Sequence, residues 1–366
     1  MASHITESLT VTTVQARKAL LVAFKNKRPV FLWGPPGIGK SEIVAEVAKE
    51  LGGIVCDMRL AQCQPDEIRG VPFFNRETGK MDWAPPVDLP DEALASQYPI
   101  IVLFLDEMNS ASSMVQAAAY QLVLNRRIGK YVLPDNVVIV AAGNRDSDRG
   151  VTYRMPMPLA NRFCHLEMRA DFDSWQSWAV NNNIHKDVVG YLSFAKNDMY
   201  DFDSKSASRA FATPRSWVFV SELLQDSSVD TDTLFNLTAG CIGEGLAIKF
   251  MAHRKVSDQM PNPVDVLQGK VKDLKIKEIS AMYSLTIAMC YELKNAVDNK
   301  TINDTEFHEQ MDNCFTFAME NFETELVVLT MRIAFKTYKL PVQPSKLKTM
   351  NTLYKKYDKY ITESVK

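Results

Sequence analysis

A short apolar run, Pro29-Val30-Phe31-Leu32-Trp33, opens directly into Gly34-Pro35-Pro36-Gly37-Ile38-Gly39-Lys40-Ser41. The octapeptide fits G-x-x-x-x-G-K-[ST] at every fixed position. Few sequence features constrain a fold as tightly, because the pattern works only as strand, glycine loop and helix in that order. Glycines allow the main chain to approach a triphosphate without a Cβ in the way. The helix expected over residues 41–51 turns its positive N-terminal end onto the phosphates. Lys40 then reaches the β- and γ-phosphates, and the Ser41 hydroxyl ligates Mg²⁺. Residues 34 to 41 are thus the candidate ATP-binding loop.

The surrounding pattern agrees. From about residue 11 to 170, short aliphatic runs alternate with helical stretches, which predicts an α/β core with a parallel sheet. Strands are expected over 29–33, 54–58, 100–105 and 137–142. None shows the polar alternation of a half-exposed strand, as befits strands covered on both faces. Residues 1–170 are read as the nucleotide-binding core and 171–256 as a helical lid. Beyond the Pro261-Asn262-Pro263 break, 257–366 read as a helical C-terminal extension, where Met282, Leu285, Met289 and Leu293 recur at helical spacing.

A second chemical motif is Ile101-Val102-Leu103-Phe104-Leu105-Asp106-Glu107. A buried strand delivers Asp106 at its C-terminal end, where open parallel sheets bind ligands. Asp106 is expected to hold Mg²⁺, directly or through water, and Glu107 to orient and polarise the attacking water.

With these residues in place, the chain resembles AAA+ ATPases of the MoxR-like group, near the CbbQ/NorQ/GvpN relatives. The resemblance spans about residues 10 to 220. It is carried by Leu105-Asp106-Glu107-Met108-Asn109, Gln116, Val138 to Asn144, Leu159-Ala160-Asn161-Arg162-Phe163 and Ala212-Thr213-Pro214-Arg215. It implies that Asn144 is a sensor that helps fix the attacking water, and that Arg162 is an arginine finger reaching a neighbouring subunit's γ-phosphate. Arg149 and Arg154 are the alternatives for that role. Arg215 resembles a second sensor at the start of a lid helix, acting in cis or in trans. The likeness further implies self-assembly into a hexameric ring or a helix, and a protein partner, often a von Willebrand factor A-domain protein. Two inserts, residues 64–88 and 126–134, resemble the helix-2 insert and pre-sensor hairpin of that group. Phe73, Phe74 or Tyr131 would there face a partner polypeptide.

Composition narrows the remaining choices. Lysine and arginine total 42 against 44 acidic residues, a formal charge of −2. A protein that coats DNA carries a strong basic excess, so a nucleic-acid motor or loader stays the alternative and is not favoured. Arg126, Arg127 and Lys130 are its local support. The lysines at 270, 272, 275 and 277 read as solvated faces. The six cysteines show no paired spacing, which suggests reduced thiols and a cytoplasmic setting. No apolar run approaches the ~20 residues that cross a bilayer, so no membrane role is expected. The five histidines are scattered and lack zinc-binding spacing.

Overall fold

The computed structural model describes residues 10–145, 148, 153, 155–203, 208–226, 228–275 and 278–364. Arg149, Arg154, Lys277 and His4 lie outside these described residues. The chain forms two compact units, one of residues 1–171 with 203–206, the other of residues 172–202 with 207–366.

The first unit is built on a six-stranded sheet. In chain order its strands are β1 (Thr10–Val11), β2 (Val30–Trp33), β3 (Ile54–Arg59), β6 (Ile101–Asp106), β9 (Val137–Gly143) and β10 (Cys164–Met168). The spatial order is β1-β10-β2-β9-β6-β3, and every pairing is parallel. Strands β6 and β9 are buried almost throughout, which is why their sequences run apolar without alternation. Helix α1 (Thr13–Lys25) and helix α2 (Lys40–Glu50) pack together, with α2 laid against β3, β6 and β9. Helix α3 (Ser113–Asn125) takes the other face. There Val115, Ala118, Ala119 and Leu122 meet Phe31, Ile101, Leu103, Leu105, Ile139 and Ala141 in one core.

Four strands agree with the sequence expectation to within a residue or two; β1 and β10 are additional. The Cys164-His165-Leu166-Glu167-Met168 segment hides its strand character behind two polar residues. Both have dedicated partners in the fold: Glu167 lies 3.3 Å from Arg145, and the His165 ring is bonded at both nitrogens.

The unit also carries two small antiparallel ribbons. Strands β4 (Val71–Asn75) and β5 (Lys80–Ala84) form one, and β7 (Arg127–Ile128) and β8 (Tyr131–Val132) the other.

The second unit is helical. Its longer helices are α4 (Phe172–Asn181), α5 (Lys186–Phe194), α6 (Pro214–Gln225), α7 (Thr231–Ile242), α8 (Glu244–Ser257), α9 (Ile279–Asp298), α10 (Asp304–Asn321), α11 (Thr324–Arg332) and α12 (Met350–Ser364). Helix α9 packs on α5 and α8, burying Met282, Leu285, Met289 and Leu293, the apolar stripe read from the sequence. Trp217 is fully buried, and its indole N–H donates to the Asp198 carbonyl at 3.0 Å. Arg254 on α8 reaches the Asp187 carboxylate on α5 at 2.9 Å. Among the described residues, no helix is long and apolar enough to cross a membrane.

Candidate functional site

Strand β2 ends at Trp33 and the chain turns through residues 34–39 into α2. The turn closes at Gly39, whose φ of 91° places it in the left-handed region that a residue with a Cβ enters only under strain. As the N-cap of α2, Gly39 offers no side-chain bond to the first helical amides. Most helices satisfy these donors with Ser, Thr, Asp or Asn; a bare N-terminus behind a glycine loop is suited to phosphate oxygens instead. Lys40, the first residue of α2, turns its amine back over the loop. Nζ donates to the carbonyls of Gly34 at 2.6 Å and Pro35 at 3.0 Å, and to Asn144 Oδ1 at 3.3 Å.

That last bond ties the loop to the end of the sheet. Side chains alternate along a strand, so the registers of β6 with β9 and β9 with β2 put Val102, Phe104, Val138, Val140, Ala142, Val30 and Leu32 on one face. This is the face that carries α2. Asp106 ends β6 in the same alternation, and Asn144 directly follows β9. The Asp106 Oδ1 accepts the backbone N–H of Glu107 at 2.9 Å. Glu107 itself is exposed, with φ 53° and ψ 34°. A non-glycine residue in that region is strained, and such strain gathers at functional sites. It is held there by the Asp106 bond and by its carbonyl, which accepts from Ser110 N at 2.9 Å.

A further residue of the site carries no motif role in the sequence. Asn109 is 2% exposed, and its Nδ2 donates to the Asn144 carbonyl at 2.7 Å. Its own carbonyl accepts from Tyr153 N at 2.7 Å. Asn109 thereby braces the backbone from which Asn144 projects. The approach is close enough that a side chain at position 143 would force its neighbours to shift: a Cβ there would stand 2.2 Å from Asn109 Oδ1 and 3.0 Å from Phe31 Cζ. Gly143→Ala is expected to destabilise the first unit by about 1–3 kcal/mol, the usual cost of overpacking. Chemical denaturation of variant and wild type checks this; an unchanged midpoint would show that Asn109 moves aside freely.

The neighbouring charges are firmly placed. Arg145 bonds Asp148 through Nε and Nη2 and Glu167 through Nη1. Burial alone would lower its pKa; the bonds to the two carboxylates outweigh that and hold it above the ordinary value. Arg145 is therefore committed within its own unit. On β3, desolvation and then the charge of Asp106 raise Asp57 above the usual carboxylate range, partly offset by Arg59.

Arg162 differs. It lies in the turn between a short helix, Met157–Ala160, and β10. Its side chain is exposed and makes no hydrogen bond or ion pair with the described residues. Arg215 belongs to the second unit, in the first turn of α6. Pro214 and a reciprocal cap shape that turn: Ser216 N donates to Thr213 Oγ1 at 3.1 Å, and Thr213 N donates to Ser216 Oγ at 2.7 Å. The Arg215 side chain is exposed. The structure thus gathers Lys40, Asp106, Glu107, Asn109 and Asn144 at one end of the sheet, and presents Arg162 and Arg215 to solvent.

A glycine loop joining a central parallel strand to a helix, with an Asp-Glu pair ending a nearby strand, defines a P-loop nucleotide-binding unit. Within it, residues 30–165 match the family model for "ATPase family associated with various cellular activities (AAA)". The first unit therefore carries an AAA ATPase domain, and nucleotide binding follows from it. No curated protein matches the chain. Among solved structures, it is similar to NtrX from Brucella abortus in complex with ADP at 13% identity and a TM-score of 0.38, over 82% of this chain and 67% of that one. It is also similar to a RuvB variant from Thermotoga maritima at 16% identity and a TM-score of 0.35, over 90% of this chain and 95% of that one.

Proposed function

We propose that the protein is a self-assembling, Mg²⁺-dependent ATPase that remodels a partner polypeptide. ATP lies along the loop of residues 34–41, with Lys40 on the β- and γ-phosphates and Asn144 beside it. Glu107 orients and polarises the water that attacks the γ-phosphate. Arg162 of one subunit completes the site of the next, in a hexameric ring or a helix. Arg215 acts as the second sensor at the start of the lid helix.

The donor set suits magnesium. Among the described residues no group of three His, Cys, Asp or Glu side chains is arranged to hold a metal. Magnesium needs no such cage, since it is bound by one or two carboxylates together with substrate phosphates. Asp106 and the Ser41 hydroxyl would hold it. When bound, the ion neutralises charge on the phosphate oxygens.

The observation that carries the remodelling role is the β4–β5 ribbon. Its register puts Pro72, Phe74, Met81 and Trp83 on one face, and Phe74, Met81 and Trp83 are 60%, 62% and 45% exposed. Asp82 points the other way and meets Lys130 of the second ribbon at 2.6 Å. A wholly apolar exposed face of this kind marks an interaction surface. Tyr131 does not share it: its hydroxyl donates to the Pro90 carbonyl at 2.5 Å and the side chain is half-buried. The resemblance to MoxR-like proteins makes a von Willebrand factor A-domain protein the first partner to try.

Replacing both Phe74 and Trp83 by serine is expected to leave basal ATP turnover unchanged and abolish its stimulation by the partner. Equal stimulation of wild type and variant would remove the ribbon from partner binding. The nucleic-acid alternative has less to draw on. Arg126 donates to the carbonyls of Pro134 and Val137, Arg127 to that of Gly129, and Lys130 is paired with Asp82. Stimulation of turnover by single-stranded DNA at physiological salt would reverse that preference.

A further inference from the structure

Trp33 and His165 are joined in a way that neither the nucleotide site nor the core requires. The Trp33 indole Nε1–H donates to His165 Nδ1 at 2.8 Å. An indole nitrogen only donates, so Nδ1 accepts and the ring proton sits on Nε2. Nε2 lies 2.8 Å from the Ala160 carbonyl and therefore donates to it. The tautomer is set by its two partners, and the result is a directed chain from Trp33 through His165 to Ala160.

Both ends of that chain matter. Trp33 is the last residue of β2, immediately before the phosphate loop. Ala160 opens the turn that presents Arg162. The Ala160 carbonyl also accepts from Phe163 N at 3.2 Å, so one oxygen holds the turn on both sides of Arg162. Phe163 is buried and packs edge-on against Phe31, with centroids 5.4 Å apart at 87°. Phe31 stacks on Trp33 at 4.2 Å, and Trp33 on His165 at 6.0 Å and 24°. Arg162 thus stands between two anchors, the Ala160 carbonyl and the Phe163 ring, and both lead back to β2.

We infer that the Trp33–His165–Ala160 relay is a positioning device that couples the phosphate-loop strand of one subunit to the arginine it offers to the next. It rests on the proposed action of Arg162 in trans. His165 touches no reacting atom; its effect passes through the Arg162 turn. A displacement of the end of β2 when the loop wraps phosphate would shift the indole, then the imidazole, then the turn.

The test uses His165→Phe, which keeps a ring in the stack and removes both bonds, and Trp33→Phe, which leaves Nδ1 without its donor. Each variant alone is expected to hydrolyse ATP about tenfold more slowly with ATP affinity unchanged, as for a catalytic group displaced by a fraction of an ångström. Each is then mixed with Glu107→Gln, which cannot hydrolyse but keeps an intact Arg162 turn. In the mixed assembly, a His165→Phe site faces an intact arginine, so turnover should rise above the mean of the two separate proteins. An Arg162→Ala and Glu107→Gln mixture is the reference. Recovery in the reference but not with His165→Phe or Trp33→Phe overturns the relay and leaves the trans arginine standing. No recovery in the reference overturns both.

Discussion

Replacing Glu107 by glutamine is expected to lower ATP turnover by about 10²–10⁴-fold, the range for loss of a positioned general base. Nucleotide affinity and assembly should be unchanged. Glutamine keeps the size and shape of the side chain and removes only its charge. The backbone at this position is also independent of the side chain. It is held at φ 53° by the Asp106 carboxylate and by Ser110 N, and neither contact involves the Glu107 carboxylate. Steady-state turnover with titration of a fluorescent ATP analogue separates the two effects. A variant that binds and assembles normally and still turns over at the wild-type rate would assign the water-activating role to another residue.

The second large effect is at Arg162. Arg162→Ala is expected to cost about 10³–10⁵-fold in turnover, the range for loss of an arginine finger. Arg162→Lys should recover little, because a point charge does not reproduce the planar fork of a guanidinium. This loss is expected to be specific to Arg162. Arg145, close by in sequence and next to Asn144, is bound to Asp148 and Glu167, so its loss should show first as lost stability. Arg162 makes no such bonds among the described residues, so Arg162→Ala should melt with the wild type. Turnover and thermal unfolding measured on both variants distinguish the cases. An Arg162→Ala protein with unaltered turnover per subunit would remove the finger.

The parts of this molecule that are legible in sequence are those whose signal is contiguous. The strand and loop of residues 30–39 dictate the helix after them, because strand, glycines, lysine and helix are adjacent in the chain. Strands β6 and β9 are as plain, since burial on both faces leaves an unbroken apolar run. Strand β10 is illegible for the opposite reason: a histidine and a glutamate interrupt its apolar run, and their partners, Trp33 and Arg145, come from distant segments. Asn109 shows the same limit. As a residue it is an ordinary loop asparagine. It becomes part of the site only because β9 brings Gly143 and Asn144 against it. The apolar ribbon is half legible: the pattern marks Phe73 and Phe74 alike, and only the β4–β5 register puts Phe74 with Met81 and Trp83, and Phe73 opposite Asp82.

The proposed catalytic site is completed by a neighbouring subunit. The most direct test is ATP turnover per subunit of the wild-type chain across a wide range of protein concentration, with molecular mass measured in ATP and Mg²⁺ at each point. Turnover is expected to climb with assembly and to reach a plateau once assembly is complete. Turnover that is constant down to a persistent monomer would contradict this, because a monomer has no second subunit to supply Arg162.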